Sequence, residues 1–180
     1  MKEKTLYKVC RSGIFAAIIC ALSFINFPLS AVPVSLATLG VVLAGAVLSP
    51  LEAVGATIAY IFLGVIGLPV FSNGGAGAGV LFSLTGGYIW SYPILAFLVS
   101  LNSIIPYKRS KVKIISGFVL SLIGVAVCYA LGTVQYMMVC DASFFTALTV
   151  CVIPFIPIDI VKSAVGILIG NKIRSKIKAR

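Results

Sequence analysis

Charge is missing from most of this sequence, and it is missing in long blocks. No Asp, Glu, Lys or Arg occurs across residues 12–51, 53–107 or 114–140, stretches of 40, 55 and 27 residues. A helix crossing the hydrocarbon core of a bilayer needs about 20 residues. The first two stretches therefore hold two spans each, the third holds one, and the apolar stretch after Asp141 supplies a sixth. Composition agrees, with 61% apolar and 10% charged residues and a mean hydropathy of +1.17. Soluble domains are about 45–50% apolar and about 25% charged. Outer-membrane barrels alternate polar and apolar residues in segments of about ten, whereas these runs are continuous. The expected fold is all-α and integral to the membrane: a single domain over residues 1–180, built as a bundle of six transmembrane helices.

The charges that remain carry topology. Thirteen of the fourteen basic residues fall in three clusters: Lys2, Lys4, Lys8 and Arg11; Lys108, Arg109, Lys111 and Lys113; Lys172, Arg174, Lys176, Lys178 and Arg180. The positive-inside rule places each cluster on the cytoplasmic side of a cell membrane. Six crossings satisfy all three clusters with both termini inside; five or seven do not. The spans are expected at roughly 12–27, 34–48, 53–68, 85–105, 114–137 and 154–171, with Pro28 and Pro33 in the first outer turn and Pro106 closing span four. The apolar N-terminal run outlasts the usual signal-peptide core of about 7–15 residues, so it is read as a retained first span. A short helix over 141–152 is expected to lie near the outer surface.

Several functions are excluded by what the chain lacks. It has no histidine, which removes Ser-His-Asp and Cys-His catalysis and imidazole metal sites. Its four acids are Glu3, Glu52, Asp141 and Asp159, too few for a carboxylate metal cage. No P-loop is present, so ATP hydrolysis by this chain is not expected. The five cysteines, at positions 10, 20, 128, 140 and 151, form no Cys-x-x-Cys pair and read as small apolar residues. Neither an enzyme nor a cofactor or metal protein is expected. The net charge of +10 does not indicate nucleic acid, because the charge lies at span ends, where it sets topology and touches anionic lipid.

Three features could carry function. Asp159 and Lys162, three apart in span six, share one helix face. Intramembrane charges face a cavity or each other, so the pair is either a structural lock on helix six or a ligand site offering one acceptor and one donor. The glycine-rich connection Ser72-Asn73-Gly74-Gly75-Ala76-Gly77-Ala78-Gly79 leads into Thr85-Gly86-Gly87-Tyr88. It can fold over a ligand and offer bare N–H groups, or serve as a plain outer loop. Ala17-x-x-x-Ala21, with Gly13 on the same face of span one, allows close helix approach, either within the chain or to another membrane protein. Tyr60, Tyr88, Trp90 and Tyr92 could line a cavity, although belt or core packing accounts for each.

In these segments the sequence resembles BioY-type proteins, the biotin-specific S components of energy-coupling-factor (ECF) transporters. The resemblance covers nearly the whole chain. It rests on Val32-Pro33-Val34-Ser35-Leu36-Ala37-Thr38-Leu39, on Leu43-Ala44-Gly45-Ala46-Val47-Leu48-Ser49-Pro50 and on Gly64-Val65-Ile66-Gly67-Leu68-Pro69-Val70-Phe71. The glycine connection, Thr85-Gly86-Gly87-Tyr88 and the 154–162 motif complete it. Ser83-Leu84 stand where the family usually has Gly-Pro, and Ile158 precedes Asp159 where Gly is common. The resemblance implies capture of biotin from outside, and uptake with a transmembrane scaffold subunit and two cytoplasmic ATPases. The polar and glycine-rich features suit such a solute, with contacts expected from Asp159, Lys162, Asn73, Gly75, Thr85, Gly86 and Tyr88, and the resemblance implies scaffold contact through Ala17 and Ala21. The alternatives are an S component or transporter for another vitamin or small organic acid, or a membrane protein with a purely structural role.

Overall fold

A computed structural model describes residues 2–27, 32–105 and 110–178. Pro28, Pro106, Lys108, Arg109 and Arg180, which the sequence assigns to turns and basic clusters, lie outside the described residues. Seven α-helices follow one another: α1 (Lys2–Ser23), α2 (Ala37–Val47), α3 (Pro50–Val65), α4 (Gly86–Leu101), α5 (Ser110–Cys140), α6 (Phe144–Cys151) and α7 (Ile156–Lys178). A two-stranded antiparallel hairpin, β1 (Asn26–Phe27) with β2 (Val34–Ser35), separates α1 from α2. Residues 24–27 and 34–36, expected to belong to spans one and two, are thus not helical. Their backbone groups pair across the hairpin and with the start of α2, as in the bond from the Leu36 N–H to the Ile25 carbonyl at 3.0 Å.

Among the described residues, two helical segments are long and apolar enough to cross a bilayer, Thr5–Ser23 and Lys111–Cys140. The α6–α7 pair passes the same test together, bent by 47° at the break that holds Pro154. The helices α2, α3 and α4 are apolar but shorter, at 11, 16 and 16 residues.

The short α2 sits at the centre, packed by α1, α3, α4 and α7. Eight of its 11 residues are buried, as expected for a helix apolar on all sides. Small residues let its neighbours approach. An added Cβ at Gly45 would stand 2.7 Å from Val99 of α4, and one at Gly166 of α7 would stand 2.8 Å from Val42. In lipid such close backbone packing takes over from the hydrophobic effect as the associating force.

Local chemistry sets the helix ends. Ser49 caps α3, with Pro50 in the first turn and the Glu52 carboxylate accepting the Ser49 N–H at 2.9 Å, a reciprocal cap that starts a helix sharply. The helix α3 stops at Val65, before the expected position 68, because Gly67 turns the chain at φ +105. Asp141 takes φ +51 beyond α5, and the Ala142 N–H returns to the Met137 carbonyl at 3.3 Å, the hydrogen bond of a Schellman stop. Ser143 then accepts the Thr146 N–H and opens α6.

The two ends of α2 have different polar company. At its C-terminal end, Arg11 of α1 donates to the Val47 carbonyl, and Arg174 of α7 donates to the Ala46 carbonyl, both at 3.5 Å. Arg11 also pairs with Glu52 at 3.7 Å. Cations suit the negative end of a helix. Partial burial, reinforced by Arg11 nearby, lowers the Arg174 pKa, although a guanidinium remains charged throughout the accessible range. The N-terminal end of α2 opens on a cavity.

Candidate functional site

Four regions of the chain converge on that cavity. The hairpin and the start of α2 bring Val32, Pro33, Ser35 and Thr38; α3 brings Tyr60. The glycine-rich connection and the start of α4 bring Ser72, Thr85, Tyr88, Ile89 and Tyr92, and the α6–α7 junction brings Phe155, Asp159 and Lys162. The cavity volume is about 40 Å³, enough for a few waters.

Asp159 and Lys162 form an ion pair at 2.9 Å one turn inside α7. Both are buried, at 4% and 6% exposure. The Lys162 ammonium donates to the Ser35 carbonyl at 2.7 Å, to the Thr38 hydroxyl at 3.2 Å and to Asp159 Oδ1 at 2.9 Å. An ammonium has three N–H groups, so all are used. The Thr38 hydroxyl donates to Asp159 Oδ1 at 3.3 Å, and the Tyr129 hydroxyl of α5 donates to Oδ2 at 2.8 Å. A carboxylate offers about four acceptor positions. Among the described residues three are filled, which leaves one on Oδ2 for a donor from a solute.

Aromatic rings form the rest of the wall. Tyr88 and Phe155 stack with centroids 6.2 Å apart, and Tyr60 lies 6.2 Å from Tyr92. Their positions are fixed from behind. The Tyr60 hydroxyl is 3.1 Å from the Ser23 hydroxyl, and the Tyr88 hydroxyl donates to the Cys151 carbonyl. Phe71 meets Tyr60 edge to face at 5.6 Å and lies over Gly64, where a Cβ would occupy the ring's place. Offset and edge arrangements of this kind are the favoured ones. A site with this lining can hold a flat apolar body between rings and bind its polar edge at a carboxylate.

Of the residues singled out from the sequence, the structure brings Asp159, Lys162, Thr85 and Tyr88 onto one cavity. Asn73 is exposed with φ 58 and is not among the lining residues; its neighbour Ser72 is. Gly75 packs beneath Val80 and Phe71, and Gly86 packs against the Leu81 carbonyl, so each lies behind the lining. The glycine-rich connection is ordered into two 3-10 turns, Ser72–Gly74 and Ala78–Phe82. The Gly77 N–H bonds the Gly64 carbonyl at 2.7 Å, and the Gln135 amide bonds the Leu81 and Ser83 carbonyls at 2.9 and 2.7 Å. Trp90 is half-exposed away from the cavity, whereas Tyr60 and Tyr92 line it. Thr38 and Tyr129, which complete the polar cluster, are not evident in the sequence. Ala17 and Ala21 are exposed on α1, and a Cβ at Gly13 would meet nothing within 4 Å.

Known proteins resemble this chain in sequence and in fold. The biotin transporter BioY2 of Lactococcus lactis subsp. cremoris is 32% identical over 170 residues, covering 94% of this chain and 91% of its own length. The biotin transporter BioY of Rhodobacter capsulatus is 35% identical, covering 89% and 90%. A crystal structure of the S-component for biotin from an ECF-type ABC transporter superposes with a TM-score of 0.83 at 24% identity, over 97% of this chain and 94% of that one. The family model that matches residues 1–179 is that of the BioY family, and the chain belongs to that family.

Proposed function

We propose that this chain is the membrane-embedded S component of an ECF-type biotin transporter, which binds biotin from outside and passes it inward. The observation that carries the proposal is the buried Asp159–Lys162 pair on an aromatic-walled cavity, with one acceptor position of Asp159 unfilled. Biotin is matched to such a wall: it has an apolar bicyclic body, a ureido edge with two N–H donors and a carbonyl, and a carboxylate tail. Asp159 accepts a ureido N–H at Oδ2. Lys162 donates to the ureido or carboxylate oxygen in exchange for the Ser35 carbonyl or the Thr38 hydroxyl. Tyr88 and Thr85 contact the solute, and the backbone around Asn73, Gly75 and Gly86 shapes the cover.

The chain spans the membrane six times in this proposal, through α1, α2, α3, α4, α5 and α7, with both termini cytoplasmic and α6 near the outer surface. The short α2 fits because irregular backbone at membrane depth is tolerated where it is buried in protein or lines a cavity. The hairpin before it does both, through buried Val32, Val34 and Ser35. With no P-loop in the sequence, energy for release comes from two cytoplasmic ATPases through a transmembrane scaffold. That scaffold docks on the exposed Ala17 and Ala21 face of α1.

Calorimetric titration of the detergent-purified chain with biotin tests the site. One-to-one binding is expected, weakened at least about tenfold in Asp159→Asn and in the milder Tyr129→Phe, which leaves the ion pair intact. Unchanged affinity in both variants would refute the assignment of Asp159. Absence of biotin heat, with saturable binding of another vitamin, would move the proposal to that solute.

A further inference from the structure

Away from the biotin site, α5 and α7 enclose a groove of about 230 Å³ with an entirely apolar lining: Ile114, Ile115, Phe118, Ala164, Ile167 and Leu168. The two helices are antiparallel. Tyr129 meets Asp159 nearer one end, and a Cβ at Gly117 would lie 3.4 Å from Ile167 nearer the other. Going backwards along α5 and forwards along α7 therefore leads to the same end of the bundle. Lys111 lies three and four residues before Ile114 and Ile115, and Lys172 lies four residues after Leu168. Those spacings put each lysine on the groove-lining face of its own helix. From the Gly117–Ile167 contact the two stand about 9 and 7.5 Å further along. Both are exposed. No acidic residue occurs in α5 or in α7 beyond Asp159, so no carboxylate on either helix competes for these ammonium groups.

We propose that this groove is a binding site for an anionic phospholipid, which lays one acyl chain along Ile115, Phe118 and Leu168 while its phosphate sits between Lys111 and Lys172. Two features single out this occupant. An apolar groove at the depth of a membrane helix is filled by hydrocarbon, and a pair of cations at its mouth, with no carboxylate on their own helices beyond Asp159, selects the charge of the headgroup. The small side chain of Ala164 keeps the groove open. The inference rests on the membrane setting of the chain and not on its solute.

Native mass spectrometry of the full chain in detergent, with phosphatidylglycerol or phosphatidylcholine of matched acyl chains, tests it without biotin. Preferential retention of phosphatidylglycerol is expected, falling on the order of tenfold or more in the Lys111→Gln, Lys172→Gln double variant. Filling the groove by Ala164→Phe should also reduce retention although both lysines remain. Equal retention of the two lipids by the unaltered chain would overturn the site, leaving only general solvation by lipid. A phosphatidylglycerol preference that survives the double variant would overturn it too, by placing the lipid at another basic cluster. The thermal melting of each variant in detergent, compared with that of the unaltered chain, reports whether it is folded. If Ala164→Phe is not folded, the exposed lysines decide the question by themselves.

Discussion

Lys162 has three N–H groups, and the fold supplies a partner for each. Leaving one of them bare in a buried site costs about 1–3 kcal/mol, which makes Thr38 more important than its exposure suggests. Its hydroxyl both accepts from Lys162 and donates to Asp159 Oδ1. Thr38→Val keeps the side-chain shape and removes both bonds. The expected outcome is a folded chain destabilised by about 1–3 kcal/mol, read as a lower melting temperature in detergent, beside an exposed control such as Thr146→Val. Equal melting of the two variants would show that Thr38 does not support the ion pair. Asp159 and Lys162 are legible in the sequence because two charges three apart in an apolar helix have few ways to be satisfied. Thr38 and Tyr129 are not. Hydroxyl-bearing residues recur along most of the spans, and these two meet Asp159 from 121 and 30 residues away.

At the scale of elements, punctuation governed what could be foreseen. Pro154 and Pro157, with Asp141 before them, foretell the short helix and the break that follows it, and the structure places α6 and its 47° bend there. The hairpin at Asn26–Phe27 and Val34–Ser35 is hidden, since strands of two residues leave no alternation to detect. The glycine-rich connection is legible as a non-helical cover, but its bonds to Gly64 and Gln135 come from distant helices. The helix α1 illustrates the opposite case. Spacing alone divides Ala17 and Ala21 between internal packing and an external partner. In the structure α1 turns Phe15, Ala16 and Ile19 inward and leaves Ala17 and Ala21 exposed. On the proposed docking face, a bulky side chain should interfere only with assembly. Ala17→Trp is expected to bind biotin like the unaltered chain, yet to lose co-purification with the scaffold and all uptake in cells carrying the complete transporter. Loss of biotin binding in this variant would instead mean that the face packs within the chain.

The whole molecule poses a question of direction. By length alone few of its helices reach across a bilayer: α2 extends about 16 Å at 1.5 Å per residue, roughly half of a 30 Å core. In the proposed topology, with every basic cluster on the cytoplasmic side, an even number of crossings separates one cluster from the next. These facts agree if α2 is shielded from lipid by its neighbours, and its burial on all sides is what such shielding needs. In the proposed topology the cavity at one end of α2 and the Arg11–Glu52–Arg174 group at the other face opposite sides of the membrane, which is the polarity a solute-capturing subunit requires. Two exposed cysteines can read that polarity, Cys10 beside the first basic cluster and Cys140 at the far end of α5. In chains keeping a single cysteine, a membrane-impermeant maleimide added to intact cells should label Cys140 and spare Cys10, with Cys10 labelled only after permeabilisation. Labelling of both from outside would break the even count and place the N-terminus with the cavity. Labelling of Cys10 alone would invert the molecule, so that the cavity would open toward the cytoplasm and export would become the direction to explain.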